Sequence, residues 1–402
     1  MRPSAGPLRI LIVVNLPWDS RLGAARVWIE LAKEWTRAGH AVEKFCLTDA
    51  YPKPAGSSAA SALRQARFPR RAAAYVRRNA ERFDVIDCLI GVLPFRKNSL
   101  RFRGLLVARS VGLYRLYDQF LRQSRILWPD QPRGRWFGRL FHRFLAWRSW
   151  KDSEKALRHS DLLNLPNEDE RLELARDPQV RVPSIVQPYG LNDRFLESLS
   201  TAAVPAEQRL SRQRICFIGM WSLRKGSRDW PRLMAAIRQR HPAVEFLFLG
   251  TMFEESVVRS DLETAEANRI FCRPIFEESD LPSLLADCAV ALFPSYIEGF
   301  GLAVLEQLAA GLPTIAYDVP GPRQILDPQR VRFLTPVGDT AALAARASEI
   351  LALSAPEYEK LSAECMTIAA GYRWRDIAHS TIKQYRNALD SLGQPLAGSA
   401  RE

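Results

Sequence analysis

Apolar positions in the first half of the chain fall into short continuous runs separated by longer stretches of helical spacing. Leu8–Val14 (LRILIVV) is apolar at nearly every position, the pattern of a strand buried on both faces, and Gly23–Arg37 follows with apolar residues three and four apart. Ala41–Cys46 reads as a second strand, Arg71–Arg82 as a helix, and Val85–Ile90 and Leu105–Ala108 as further strands. A long helical stretch from about Trp136 to Arg158 leads into a strand at Asp161–Leu165. Leu196–Arg212 turns small and polar and reads as a linker.

After it the rhythm restarts. Strands are expected at Ile215–Gly219, Val244–Gly250, Ile270–Cys272, Val290–Phe293 and Thr314–Ala316. Helices are expected at Lys225–Arg240, Glu254–Ala267, Asp280–Asp287 and Leu302–Ala310, and residues 338–390 read as helical with little strand signal. Alternating strands and helices with fully apolar strands imply two doubly wound parallel sheets. The expected division is a lobe at 1–196, a second at 213–371, and a closing helix at 372–402 that packs back toward the first lobe. Ligands of such sheets sit at the carboxyl ends of the strands, so a cleft between the lobes is the expected site.

Composition narrows the class. The chain has 402 residues, 47% hydrophobic and 25% charged, a soluble globular balance. No run approaches the roughly 18–20 apolar residues of a membrane span, and the first apolar run is too short for a signal peptide. Six cysteines, at 46, 88, 216, 272, 288 and 365, are spread singly, which suits a reducing cytoplasm. The net charge of +13 is uneven: Ala62–Asp152 holds 21 Lys/Arg against 6 Asp/Glu, leaving the rest slightly acidic. That segment favours an anionic partner such as a membrane surface, or is a solvated arginine-rich face. Within it, 135–150 (RWFGRLFHRFLAWRSW) puts Trp136, Leu140, Phe144 and Trp147 on one side of a helix, with Phe137 and Phe141 beside them, among Arg135, Arg139, His142, Arg143 and Arg148. The pattern suits an interfacial helix or one packed on a sheet.

The densest chemistry is PSYIEGFGLAVLEQLAAGLPTIA, residues 294–316: a strand end, a loop with Glu298, Gly299, Phe300 and Gly301, then a helix carrying Glu306. The glycines let main-chain N–H groups approach a ligand, and a helix N-terminus favours negative charge. Glu298 can accept hydrogen bonds from sugar hydroxyls, and Glu306 can take both hydroxyls of a ribose. No Asp-x-Asp occurs, which argues against single-lobe metal-dependent transferases, and the five histidines show no metal spacing. Glu168-Asp169-Glu170 reads as the start of a helix.

Glu-x7-Glu in EGFGLAVLE, followed by AAGLPTIAYDVPG, resembles the signature of glycosyltransferase family 4, retaining enzymes of the GT-B fold. FIGMWSLRKG (217–226), the run 273–295 and YRWRDIA (372–378) extend the resemblance, and LGAARVWIELAKEWTRAGHAVE carries a fainter one near the N-terminus. The resemblance implies a donor nucleotide-sugar on the C-terminal lobe, an acceptor mostly on the N-terminal lobe, and neither metal nor other cofactor. By it, Glu298 contacts the transferred sugar, Glu306 the ribose, and the amides of Gly299, Phe300 and Gly301 the sugar and diphosphate. Lys225 neutralises the diphosphate, and Gly23 lies in the acceptor lobe's glycine loop. Retention of configuration, by front-side attack with the diphosphate as base, follows from the resemblance alone. It points to synthesis of bacterial surface polysaccharide, lipopolysaccharide or glycolipid, on a glycan, lipid-linked or small-molecule acceptor. The expected location is the cytoplasm, with residues 62–152 offering peripheral contact with the inner face of the cytoplasmic membrane, and no nucleic-acid partner is expected.

Two positions depart from the family's pattern. Met220 stands where an arginine is common, so Arg224 beside Lys225 is the substitute cation, and Val111 stands where a histidine is common, leaving Arg109 and Ser110 as candidates in that loop. The competing readings are a nucleotide-sugar epimerase or phosphorylase on the same fold, or a non-catalytic basic protein binding lipid or nucleic acid through residues 62–152.

Overall fold

A computed structural model describes residues 6–129, 136–262 and 269–393, with the side chains of 136–143 outside the description. The chain forms two compact units. Met1–Arg115, Trp128–Pro188 and Trp374–Glu402 make the first; Leu116–Leu127 and Tyr189–Arg373 make the second.

Each unit is built on a six-stranded parallel sheet. The first contains β1 (Arg9–Val13), β2 (Ala41–Phe45), β3 (Val85–Leu89), β4 (Leu105–Arg109), β5 (Leu162–Leu165) and β6 (Ser184–Val186), in the order β2-β1-β3-β4-β5-β6. The second contains β7 (Arg214–Ile218), β8 (Glu245–Leu249), β9 (Ile270–Arg273), β10 (Cys288–Phe293), β11 (Thr314–Tyr317) and β12 (Leu334–Thr335), in the order β12-β11-β10-β7-β8-β9. These are the doubly wound sheets the apolar runs predict. Every residue of β10 is fully buried, as a strand covered on both faces must be. The order reverses between β1 and β3 in one sheet and between β7 and β10 in the other, and such switch points open a crevice at the strands' carboxyl ends.

In the second unit Phe217 of β7 meets Trp230 and Phe248 edge-on or tilted, with ring centroids 5.6 and 6.2 Å away. In the first, the Trp374–Gly393 helix docks through Trp35, whose ring N–H donates to Ala378 O at 3.3 Å and whose ring lies 6.1 Å from Tyr385. Beneath it, Asp87 of β3 accepts from Tyr385 Oη (2.6 Å), Trp28 Nε1 (3.0 Å) and Arg109 Nη2 (2.8 Å), all four side chains being completely buried. Arg109 is thereby removed from the acceptor candidates: its guanidinium has no exposure and ties β4 to the closing helix. Ser110 accepts the Gly112 N–H at 3.0 Å and is buried too.

Several local expectations are corrected. Leu196–Arg212 is not a linker but largely two helices, Asp193–Thr201 and Ala206–Arg212. Asn192 caps the first through Phe195 N (2.8 Å), Phe195 and Leu199 bury one stripe, and the polar-looking Arg209 is buried where it donates to the carbonyls of Ala286 and Ala310. The helix expected from Lys225 starts only at Trp230, after two 3-10 turns (Leu223–Lys225 and Ser227–Asp229), because Gly226 between them is left-handed at φ +77°. A helix at Tyr114–Leu127, unmarked in the sequence reading, follows β4. The long Trp136–His159 helix forms as expected. Its residues Trp136, Phe137, Arg139, Leu140, Phe141, His142 and Arg143, and Arg135 before it, lie outside the described side chains; Phe144, Trp147 and Trp150 are exposed, and burial begins at Ser153.

Candidate functional site

The second sheet's switch point places two loops side by side. Past β7 the chain turns at Gly219 (φ +154°), where a Cβ would lie 3.5 Å from the Lys225 stem, and closes the Leu223–Lys225 turn through Lys225 N to Ser222 O (2.9 Å). Past β10 it runs through Pro294 to Gly301. Gly226 is where the loops touch: a Cβ there would stand 2.2 Å from Pro294 O. Tyr296 N donates to Arg224 O at 2.9 Å and completes the junction.

This contact brings Glu298, Arg224 and Lys225 together. Lys225 Nζ makes a short charged hydrogen bond to Glu298 Oε2 and sits 4.4 Å from the centre of the Phe293 ring. Arg224 Nη1 approaches the same oxygen at 3.7 Å. The Lys225 and Glu298 side chains are only 11% and 13% exposed, so neither charge is well hydrated. Burial lowers the Lys225 pKa, helped by Arg224 and opposed by Glu298 and Glu306. Burial would raise the Glu298 carboxyl, but Lys225, Arg224 and the Gly299 N–H together hold it below the usual range.

Glu306 lies on the Leu302–Ala309 helix, buried at 6% exposure, with its negative charge felt at Lys225. Gly301 caps that helix at φ +94°. Phe300 is buried between Tyr189 and Tyr372, with ring centroids 5.2 and 5.9 Å away, and Gly321 lets a neighbouring loop pass against its backbone, where a Cβ would stand 2.4 Å from Phe300 O. Behind the junction, Asp229 accepts from Tyr317 (2.7 Å) and Tyr296 (3.1 Å); its pKa is raised by burial despite both hydrogen bonds. Gly23 is not among these residues. It is exposed at the start of the Gly23–Arg37 helix of the first unit, with open space about its α-carbon. Among the described residues no group of three or more His, Cys, Asp or Glu could hold a metal.

Residues 212–352 match the family described as Glycosyl transferases group 1. Among sequence relatives, the D-inositol 3-phosphate glycosyltransferase of Mycobacteroides abscessus is 26% identical over 199 residues, covering 48% of this chain and 43% of that protein. The chain thus spans less than half the length of the curated relatives it first matches. Sucrose-phosphate synthase from Thermosynechococcus elongatus superposes with TM-score 0.71 at 18% identity, covering 95% of this chain and all of that one. Anabaena HepE in complex with UDP and glucose gives TM-score 0.62 at 16% identity, covering 94% and 100%. The fold is therefore GT-B.

Of the nominated residues, Gly23, Arg109 and Ser110 lie in the first unit, whereas Arg224, Lys225, Glu298, Gly299, Phe300, Gly301 and Glu306 gather within the second. Two aromatic residues beside them carried no sequence signal. Tyr117, from the unmarked helix, has its ring 5.7 Å from the Arg224 guanidinium, and Phe120 lies 6.2 Å from Tyr296. In the first unit Glu170 is fully buried, accepts the Leu113 N–H at 3.1 Å, and has its pKa pushed up to about 8 by burial.

Replacing Glu298 by glutamine leaves Lys225 buried without its closest counter-charge. Glu298→Gln should cost about 1–3 kcal/mol of stability at pH 7. Because the Lys225 pKa then falls further below its unfolded value, the variant should recover stability as pH rises toward 10. The wild-type protein should show a smaller gain of the same sign at high pH, because Glu298 opposes the lowering of the Lys225 pKa, and should lose the pair's contribution below about pH 4, as Glu298 protonates. Denaturant titrations of both proteins across pH check this, and parallel curves would contradict it.

Proposed function

We propose that this chain is a retaining glycosyltransferase that uses a nucleoside-diphosphate sugar. The observation carrying the reading is one carboxylate, Glu298, set beside Lys225 and Arg224 at the carboxyl end of β10, with the buried Glu306 on the helix that follows. In this reading Glu306 holds the ribose, Glu298 orients the transferred sugar, and the amides of Gly299, Phe300 and Gly301 face the sugar and diphosphate. The acceptor hydroxyl oxygen attacks the anomeric carbon from the side on which the diphosphate departs. The carbon–oxygen bond to the diphosphate breaks, and the hydroxyl proton passes to the departing diphosphate oxygen. Arg224 and Lys225 stabilise the growing charge, supplying what a divalent cation would otherwise provide, so the reaction needs no metal. The acceptor, a glycan, glycolipid or small molecule of bacterial surface synthesis, is assigned to the first unit, whose strand ends include the loop at Gly23.

The same proposal places the enzyme on the cytoplasmic face of a membrane. Among the described residues no helix is long and apolar enough to cross one. Phe144, Trp147 and Trp150 are exposed on a helix within the most basic part of the chain, and Lys151 Nζ stands 4.2 Å from the Trp147 ring centre. Aromatic rings beside cations suit an anionic lipid–water interface.

Against a panel of UDP-, GDP- and ADP-sugars, one donor should be hydrolysed to the free nucleoside diphosphate. Glu306→Ala should raise its KM about 10- to 100-fold, since a charge-assisted contact contributes about 1.5–3 kcal/mol. Lys225→Ala should lower kcat more than it raises KM, because the diphosphate gains charge as the bond breaks. Unchanged donor kinetics in both variants would remove the assignment.

For the membrane, the protein should sediment with vesicles containing anionic phospholipid, ignore zwitterionic ones, and come off as salt rises. Trp147→Ala with Trp150→Ala should weaken that sedimentation and leave donor hydrolysis intact. Equal binding to both vesicle types would refute the anionic interface.

A further inference from the structure

The helix Tyr114–Leu127 contributes its stretch Leu116–Leu127 to the second unit, although in sequence it lies almost a hundred residues before β7. Tyr117, Phe120 and Ser124, spaced three and four apart, share one face. Phe120 and Ser124 are buried at 7% and 2% exposure, while Leu121, Ile126 and Leu127 on the rest of the helix are exposed. Two residues of the inward face rest on two residues of the loop junction. Tyr117 lies against Arg224, and Phe120 lies against Tyr296, whose N–H is bonded to the Arg224 carbonyl. Tyr296 is in turn backed by Tyr317, 5.5 Å away at a near-perpendicular angle, and both hydroxyls close on Asp229.

Arg224 needs such support. Its backbone is fixed in the Leu223–Lys225 turn, but its long side chain is 25% exposed and meets Glu298 only at 3.7 Å, longer than a hydrogen bond. A flexible guanidinium loses rotamer freedom whenever it is called to one place, and an aromatic face reduces that loss by restricting it beforehand. Met220, directly after Gly219, brings no charge to the loop, and Arg224 is the cation that joins Lys225 in approaching the Glu298 carboxylate.

We propose that Tyr117 is a positioning residue of the donor site, its ring holding the Arg224 guanidinium where the diphosphate of a nucleotide-sugar arrives. Tyr117 touches no reacting atom; it acts through Arg224. The inference rests on the donor-site reading above, and the experiment separates the two.

The full-length chain is assayed for binding of UDP, GDP and ADP by calorimetry and for hydrolysis of the matching donor sugar. Tyr117→Ala should lower kcat/KM for the donor about fivefold, the size of a partly desolvated cation–π contact. Tyr117→Phe, which keeps the aromatic face, should restore wild-type values within twofold. Tyr117→Leu, which keeps the bulk without the π-face, should behave like alanine and guards against a mere packing defect. In an Arg224→Ala background, Tyr117→Ala should have no further effect, because the group it positions is gone. A fivefold loss that persists in the Arg224→Ala background, or wild-type behaviour of Tyr117→Leu, overturns the role of Tyr117 while leaving the donor site standing. A wild-type chain that binds none of the three nucleotides overturns the donor reading itself, and the role of Tyr117 with it.

Discussion

The second unit is organised around a charge that cannot be left alone. Lys225 is nearly withdrawn from water, and burial works against its ammonium, so Glu298 must lie beside it. That requirement constrains the surrounding backbone. The two side chains come from loops 73 residues apart, and they meet because Gly226 lets one loop pass against Pro294 of the other. An alanine at 226 would force the loops apart and separate the charges. The arrangement sits at the switch point of the sheet, where the chain's own winding leaves room between β7 and β10.

A pre-formed ion pair has a chemical consequence. In the free protein Lys225 and Arg224 are both directed at one carboxylate. An arriving diphosphate offers several oxygens and more charge, and in the proposed reaction it draws the cations partly away, freeing Glu298 to accept hydrogen bonds from the sugar. The cations therefore wait in place with little reorganisation left to do, the condition under which electrostatic stabilisation is most effective. Around them the ring of Phe300, wedged between Tyr189 and Tyr372, and Asp229, held by two tyrosine hydroxyls, brace the loops.

What could be read in advance follows a physical division. Continuous apolar runs such as Val290–Phe293 announce buried strands, and EGFGLAVLE announces a strand-end loop and helix because glycine spacing and carboxylate placement are local properties. The misreadings concern polar residues that are buried. Arg109 looked like a loop cation; it is neutralised by Asp87 and donates a hydrogen bond to the Tyr385 hydroxyl 276 residues away, and no local pattern encodes that pairing. Arg209 made a helix look like a linker because its partners are carbonyls of distant segments. The helix at Tyr114–Leu127 escaped notice because Arg115, Asp118, Arg122 and Arg125 mask an inward stripe of only Tyr117, Phe120 and Ser124. Glu170, at the first turn of its helix, reads as an ordinary helix-start acid until Leu113 is seen to donate to it.

The central claim is that the Lys225–Glu298 pair is the resting state of a diphosphate site. The direct measurement is the pKa of Lys225 Nζ, followed by NMR on lysine-labelled protein with and without a saturating nucleoside diphosphate. The account predicts a value below the ordinary lysine range of about 10.4 in the free protein. It predicts a clear rise on binding, because added negative charge nearby favours the ammonium. A Lys225 titration that is the same in free and nucleotide-saturated protein would place the diphosphate elsewhere and contradict the account.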